Sequence, residues 1–247
     1  MGPANTPDCS TPLYYYTFFS LKMLIKLTIH NIKMVKVLGI DEAGRGPVIG
    51  PMIMAGAMIE EGNEGQLGSV KDSKLVSQKD RIILERHLKK QITYEVLVVE
   101  PEIIDAAVLS GELNLNWLEA HKQAEIINKL KPDKAIIDCP SINCEAYEKY
   151  LMNLIDDKSV KLVVEHKADE KYPICSAASI LAKTEREKQM GDIKRKYGNT
   201  GSGYPADPNT KEFIKSNWNK CPEIFRKSWS TYKKFADKEK QKGIADY

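Results

Sequence analysis

The chain has 247 residues, 37 of them Lys or Arg and 34 Asp or Glu, for a formal charge of +3. With 42% hydrophobic and 29% charged residues it has the composition of a globular protein, which excludes a wholly disordered chain, and its length suits one large α/β domain with appendages. The near balance of charge excludes a binder of polyanions that works through overall basicity, so any such site must come from local placement of charge.

Residues 13–32 are apolar, but no basic segment precedes them and Lys22, Lys26 and His30 interrupt the run. Neither a signal peptide nor a membrane span fits that pattern. Met34 suits a natural start, with residues 1–33 read as an extension. From Val35 the pattern is regular. VKVLGI (35–40) reads as a buried strand running into Asp41, and PMIMAGAMIE (51–60) as a second strand after a Gly/Pro-rich turn. Residues 61–70 read as loop, and 78–90 as a helix with Ser77 as its N-cap. A strand over 92–100 and a helix opened by Pro101 follow. Residues 114–130 have the period of a long amphipathic helix, on which Trp117 is expected to face the core, and Pro132 stops it. KAIIDCP (134–140) is a strand ending at Asp138, 145–155 is helical, and VKLVVEHKAD (160–169) is a strand leading to Asp169. Pro173 opens a helix through about Tyr197, 199–210 is a loop, and the remainder reads as two or three helices. Strands that alternate with helices give an α/β fold with a central mixed sheet and a helical C-terminal appendage.

The five cysteines, Cys9, Cys139, Cys144, Cys175 and Cys221, are odd in number and contain no C-x-x-C pair. They indicate neither a disulfide framework nor a zinc ribbon, and point to reduced thiols in a cytoplasmic protein.

The acids fall in informative places. Asp41 and Glu42 end the first strand, Asp138 ends a middle strand, and Asp169 follows the strand over 160–166. Strand ends in α/β folds are where ligand sites form, although such acids also cap turns and helices. Carboxylates brought together repel one another unless cations neutralise them, and hard divalent ions such as Mg²⁺ or Mn²⁺ suit oxygen ligands. Two such ions can activate a water and stabilise the leaving oxygen of a phosphodiester. The turn Gly44-Arg45-Gly46-Pro47-Val48-Ile49-Gly50 is not a dinucleotide fingerprint, because its third glycine is late and a strand follows it. Its glycines allow backbone groups to approach a sugar or phosphate closely.

DEAGRGP (41–47), VKDSKLVS (70–77), NLNWLEA (114–120), AIIDCP (135–140), EHKADEKYPICSAASILAKTERE (165–187) and GSGYPADPNT (201–210) occur in the order found in ribonuclease HII. Over nearly all of 35–247 the chain resembles that family, particularly its archaeal members, and residues 1–33 have no counterpart in the pattern. The resemblance implies an RNase H-like fold, with a catalytic domain over 34–203 and a helical region over 204–247 that contributes to substrate binding. It implies an acidic quartet, Asp41, Glu42, Asp138 and Asp169, holding two divalent ions, Mg²⁺ or Mn²⁺. It also implies hydrolysis of the RNA strand of RNA–DNA hybrids. A second implied reaction is nicking of duplex DNA 5′ of an embedded ribonucleotide, leaving 3′-hydroxyl and 5′-phosphate ends, as ribonucleotide removal in replication and repair requires. The backbone of Gly44, Arg45 and Gly46 matches the motif that senses the ribose 2′-hydroxyl, the group that separates RNA from DNA, and Tyr204 matches the tyrosine that completes this sensor. Lys74 resembles a substrate-contacting lysine. Cys139 stands where a glycine or another small residue is common, and is expected to be a buried, inert thiol.

Ser176, Ser179 and Lys183 share a helix face after Asp169, where two hydroxyls and an ammonium suit backbone phosphate, with packing as the alternative for Ser179. His166 and Lys167 are candidates for proton transfer, with a structural role as the alternative for His166. His87 and His121 read as surface residues. Seven Lys or Arg residues between Arg226 and Lys242, with Trp229 and Tyr232 interleaved, suit a helix gripping a duplex backbone. Gln241, Ile244 and Tyr247 echo a sliding-clamp-binding box that lacks its second aromatic residue. No membrane association is expected, and a monomer is. The competing functions are a DNA-only nuclease of the same fold, which the Gly44–Gly46 turn and Tyr204 oppose, and a non-catalytic binding module, which four acids beside a phosphate backbone oppose.

Overall fold

The computed structural model describes Gly2, residues 34–68, Val70 and residues 77–245, with side chains as far as Asp237. The chain divides into two units, Met1–Met34 and Val35–Tyr247. Lys74 and Tyr247 lie outside the described residues, as does the apolar run over 13–32.

Within the second unit, β1 (Lys36–Ala43), β2 (Met52–Glu60), β3 (Thr93–Val99), β4 (Lys134–Asp138) and β5 (Lys161–Glu165) form one sheet in the order β3-β2-β1-β4-β5. β1 pairs antiparallel with β2 and parallel with β4, β2 pairs antiparallel with β3, and β4 pairs parallel with β5. The mixed sheet is the one expected. Helices α1 (Gln78–Gln91) and α6 (Pro173–Tyr197) cover one face, α3 (Leu115–Leu130) and α4 (Cys144–Leu154) the other, and α2 (Pro101–Leu109) follows β3. Ser77, Asn114 and Asn143 cap α1, α3 and α4 by accepting backbone N–H bonds, and Pro101 and Pro173 stand in the first turns of α2 and α6.

Alternation along β1 decides what each face receives. Val37 joins the core under α6, whereas Leu38 and Ile40 join the core under α3 and α4. Gly39 carries no side chain because α6 lies directly on it: a Cβ there would stand 2.6 Å from the Cys175 backbone nitrogen. This close approach seats the N-terminal half of α6 over the middle of β1.

Two element boundaries differ from the sequence expectation. β1 continues through Ala43, so Asp41 and Glu42 lie within the strand, because β2 pairs with them at Ala55 and Met54. β5 stops at Glu165, and Lys167 takes a left-handed conformation (φ 59°) that turns the chain into the short helix α5 (Ala168–Lys171). Asp169 therefore sits on a helical turn and not on a strand. The C-terminal region comprises α7 (Pro208–Asn217), a 3₁₀ turn over Pro222–Ile224 and α8 (Ser230–Ala245). It packs its own apolar cluster, including Phe213, Ile214, Phe225 and Tyr232, against Val48, Ile49 and Met190. No helix among the described residues is long and apolar enough to cross a membrane.

Candidate active site

Register brings the acids together. Ile40 of β1 pairs in parallel with Ile137 of β4, so the next positions along these strands are Asp41 and Asp138, on strands about 5 Å apart. The turn after β5 then returns the chain over Asp138, where the Ala168 amide donates to Asp138 Oδ1 at 3.3 Å, and Asp169 follows directly. Alternation turns Asp41 to the α6 face, beside Ser179, and Glu42 toward α3, beside Glu119.

Asp41 and Glu42 are held in a proton-hungry state. Burial pushes Asp41 up to about 6, with the Asp138 and Asp169 charges adding to the rise and the Ser179 hydroxyl and Glu42 amide offsetting part of it. Glu42 is held well above the usual carboxylate range, by burial first and then by the Asp41, Glu119 and Asp138 charges. Mutual repulsion among oxygen donors that have lost water is the condition a hard divalent cation relieves, so the donor set fits such ions. Cys139 is buried, as expected, and burial raises its thiol to about 12, so it keeps its proton unless a cation displaces it.

A cleft of about 300 Å³ adjoins the acids, lined by Glu42, Ala43, the Gly44–Gly46 turn, Lys183, Arg186, Glu187 and Tyr204. The turn is held from three directions. Arg226, fully buried, donates from Nη2 to the Gly44 carbonyl at 2.6 Å, from Nη1 to the Arg45 carbonyl at 2.7 Å and from Nε to the Gly50 carbonyl at 3.0 Å. Trp229 Nε1 donates to the Gly46 carbonyl at 3.0 Å, and the Val48 amide donates to the Gly203 carbonyl at 2.8 Å. The Arg45 side chain reaches into α3, donating to Glu119 at 2.6 Å and Asn116 at 2.5 Å. Gly44 has φ 79°, and a Cβ there would stand 2.2 Å from Arg186 Nε, so only glycine fits. With the Gly44 and Arg45 carbonyls tied to Arg226, Tyr204 stands 42% exposed at the mouth of the cleft, its ring 5.2 Å from the Arg186 guanidinium.

A model of the ribonuclease HII family matches residues 38–232. The ribonuclease HII of Methanobrevibacter smithii is 42% identical over 209 residues, covering 82% of this chain and 99% of its own. The chain belongs to the ribonuclease HII family. The crystal structure of ribonuclease H2 from Pyrococcus horikoshii superposes with a TM-score of 0.76 at 38% identity, covering 83% of this chain and 98% of that one. The structure of a PCNA:RNase HII complex from Archaeoglobus fulgidus gives 0.72 at 40% identity, covering 79% and 96%. The RNase H-like fold expected from the motifs is thus shared with these ribonuclease HII structures.

Several expected substrate contacts are placed elsewhere. Ser176 is buried, with its hydroxyl donating to the Asp169 carbonyl, and Ser179 is fully buried beside Asp41. Lys183, one turn further on, does line the cleft. His166 faces Cys139 and Cys144, and Lys167 is exposed near Glu170. Three members of the C-terminal run are structural: Arg226 and Tyr232 are buried, and Trp229 is half-buried in contact with the turn. Exposed basic residues among the rest include Lys227, Lys233 and Lys234. Trp117 packs as expected, its ring centroid 4.2 Å from that of Tyr150. His87 and His121 are exposed.

Sequence reasoning missed Arg226, Arg186 and Glu119. Arg186 and Glu119 fall inside the motifs TERE and NLNWLEA, which offered a signal without a role. Arg226 offered none, since a buried arginine and a solvated one read alike in a basic run.

Proposed function

We propose that this chain hydrolyses RNA strands in RNA–DNA hybrids and nicks duplex DNA 5′ of embedded ribonucleotides by a two-metal mechanism, leaving 3′-hydroxyl and 5′-phosphate ends. Membership of the ribonuclease HII family makes the chain a ribonuclease H, an endonuclease acting on such hybrids. The observation that carries the finer reading is the convergence of Asp41, Glu42, Asp138 and Asp169 beside a backbone turn whose carbonyls are already engaged.

The four acids would hold two divalent ions, Mg²⁺ or Mn²⁺, which when bound supply an activated water and neutralise the leaving oxygen. Glu42, at the edge of the cleft, orients the attacking water. The Gly44-Arg45-Gly46 backbone meets the ribose 2′-hydroxyl, and its rigidity supports this role because donors that need no reorganisation discriminate best. Tyr204 stacks at the ribonucleotide junction, and Lys183 with Arg186 places positive charge along the cleft for backbone phosphate. Lys74 adds a substrate contact, and the helical region over 204–247 contributes exposed lysines. Within a cytoplasmic role in ribonucleotide removal, the chain works as a monomer. Gln241, Ile244 and Tyr247 contact a sliding clamp; the PCNA complex of the Archaeoglobus fulgidus relative supports this reading.

The test is a duplex carrying one embedded ribonucleotide, run beside a uniform hybrid, with and without Mg²⁺, with product ends mapped. The expected result is metal-dependent nicking 5′ of the ribonucleotide with 3′-hydroxyl ends. Asp138→Asn should abolish cleavage of both substrates while duplex binding persists, and Tyr204→Ala should reduce junction nicking more than hybrid cleavage. Full activity of Asp138→Asn, or cleavage in a metal-free buffer, would overturn the proposal.

A further inference from the structure

Beside the acid cluster lies a second group of ligand atoms with different chemistry. Cys139 Sγ, Cys144 Sγ and a ring nitrogen of His166 lie within 4.8 Å of one another. They come from three places: Cys139 follows β4, Cys144 opens α4, and His166 follows β5. Cys144 Sγ stands 3.4 Å from His166 Nε2. Two bonds of the usual Zn–S and Zn–N lengths, meeting at a tetrahedral angle, span about 3.6 Å between the ligand atoms.

The orientation of the imidazole is decided by its other nitrogen. His166 Nδ1 lies 3.3 Å from the Cys139 carbonyl oxygen. A carbonyl can only accept, so Nδ1 carries the proton and Nε2 turns a lone pair toward the thiols. A ring N–H donated to a backbone carbonyl is the arrangement that fixes the tautomer of metal-ligating histidines. Burial grades across the group, from buried Cys139 through half-buried Cys144 to exposed His166, so one side stays open to solvent.

We propose that Cys139, Cys144 and His166 form a site for a thiophilic divalent ion of the Zn²⁺ class, with the fourth position open to water. Two sulfurs and an imidazole favour such an ion over Mg²⁺, whereas the neighbouring carboxylates offer only oxygen, so Mg²⁺ in excess occupies the acids without displacing an ion from the thiols. On loading, the two thiols become thiolates, two metal–sulfur bonds form, and two protons pass to solvent with no change of oxidation state. The bound ion joins the 139–144 loop, which follows Asp138, to the turn that precedes Asp169. It is thus a staple between two acid-bearing segments. This assignment does not rest on the nuclease reading.

The test is titration of the reduced, chelator-treated full chain with Co²⁺, read by thiolate-to-cobalt charge-transfer absorption and visible d–d bands. One equivalent of tetrahedral Co²⁺ is expected, displaced by one equivalent of Zn²⁺ and unmoved by excess Mg²⁺. Cys144→Ser and His166→Ala, both at positions open to solvent, should each lose the tetrahedral signature while keeping the parent circular dichroism. With Mg²⁺ in excess to occupy the acids, Zn²⁺ should raise the unfolding temperature of the parent and leave that of Cys144→Ser unchanged. Absence of a charge-transfer band at excess Co²⁺, bands that survive in both variants, or a Cys139–Cys144 disulfide as the form that persists under reductant would overturn the proposal.

Discussion

Asp41 illustrates what a single position can be made to bear. Its folded pKa of about 6 lies above the ordinary 3.8, so the folded protein holds that proton more tightly than the unfolded chain does. Without metal, stability is therefore greatest at low pH and is lost as pH rises from about 4 through 6, by up to about 3 kcal/mol for a shift of this size. Asp41→Asn removes the charge and with it the loss. In chelator at pH 8 the variant should unfold at higher denaturant than the parent, and the gap should close as pH falls toward 4. A variant less stable than its parent at pH 8 would contradict this account. The positions of the acids were legible from the sequence because hydrophobic runs end or pause at them, and the family motifs, not that spacing, grouped them as a quartet. Their neighbours were less so: Ser176 and Ser179 read as possible phosphate ligands beside Lys183, yet both side chains are buried while Lys183 lines the cleft.

At the scale of elements, Pro and Gly punctuation and N-capping residues made most boundaries readable, since Pro101, Asn114, Pro173 and Asp207 act through bonds within a turn of themselves. Pairing was not readable in the same way. β1 outran its apolar stretch because β2 hydrogen-bonds it as far as Ala43. The segment over 224–229 has the largest unforeseen role. Its backbone joins the turn through Ile49 and Phe225, Asp105 of α2 receives the Lys227 and Ser228 amides at 2.7 and 2.9 Å, and Arg226 reaches the turn from beneath. Arg226→Lys keeps a charge but loses the planar fork that serves three carbonyls. It should cost about 2–4 kcal/mol in denaturant unfolding, as expected when buried carbonyls lose charged donors. A change below about 0.5 kcal/mol would place the turn's rigidity elsewhere.

For the molecule as a whole, the charge of +3 conceals an uneven distribution. Acids gather where β1, β4 and α5 meet, and Lys183 and Arg186 line the cleft that Glu42 also lines. The family match begins at residue 38, and the second unit begins at Val35. A chain starting at Met34 should therefore unfold at the same temperature as the full chain, within about 2 °C, and cleave hybrids at the same rate. A large loss of either would show that residues 1–33 belong to the working fold.

Sequence by itself determined the family, the order of strands and helices and where the four candidate acids fall along them, because these depend on hydrophobic period, local turn chemistry and motifs that stay contiguous along the chain. Tertiary structure alone decided which groups share a space. Arg226 is buried beneath a turn more than 170 residues away, its guanidinium bonded to Gly50 across 176 positions. Cys139, Cys144 and His166 meet because parallel pairing of β4 with β5 brings their following loops to one edge of the sheet. Contacts of this kind depend on strand register and helix packing, in which each residue's surroundings come from segments distant in sequence. A pattern read along one segment does not contain them.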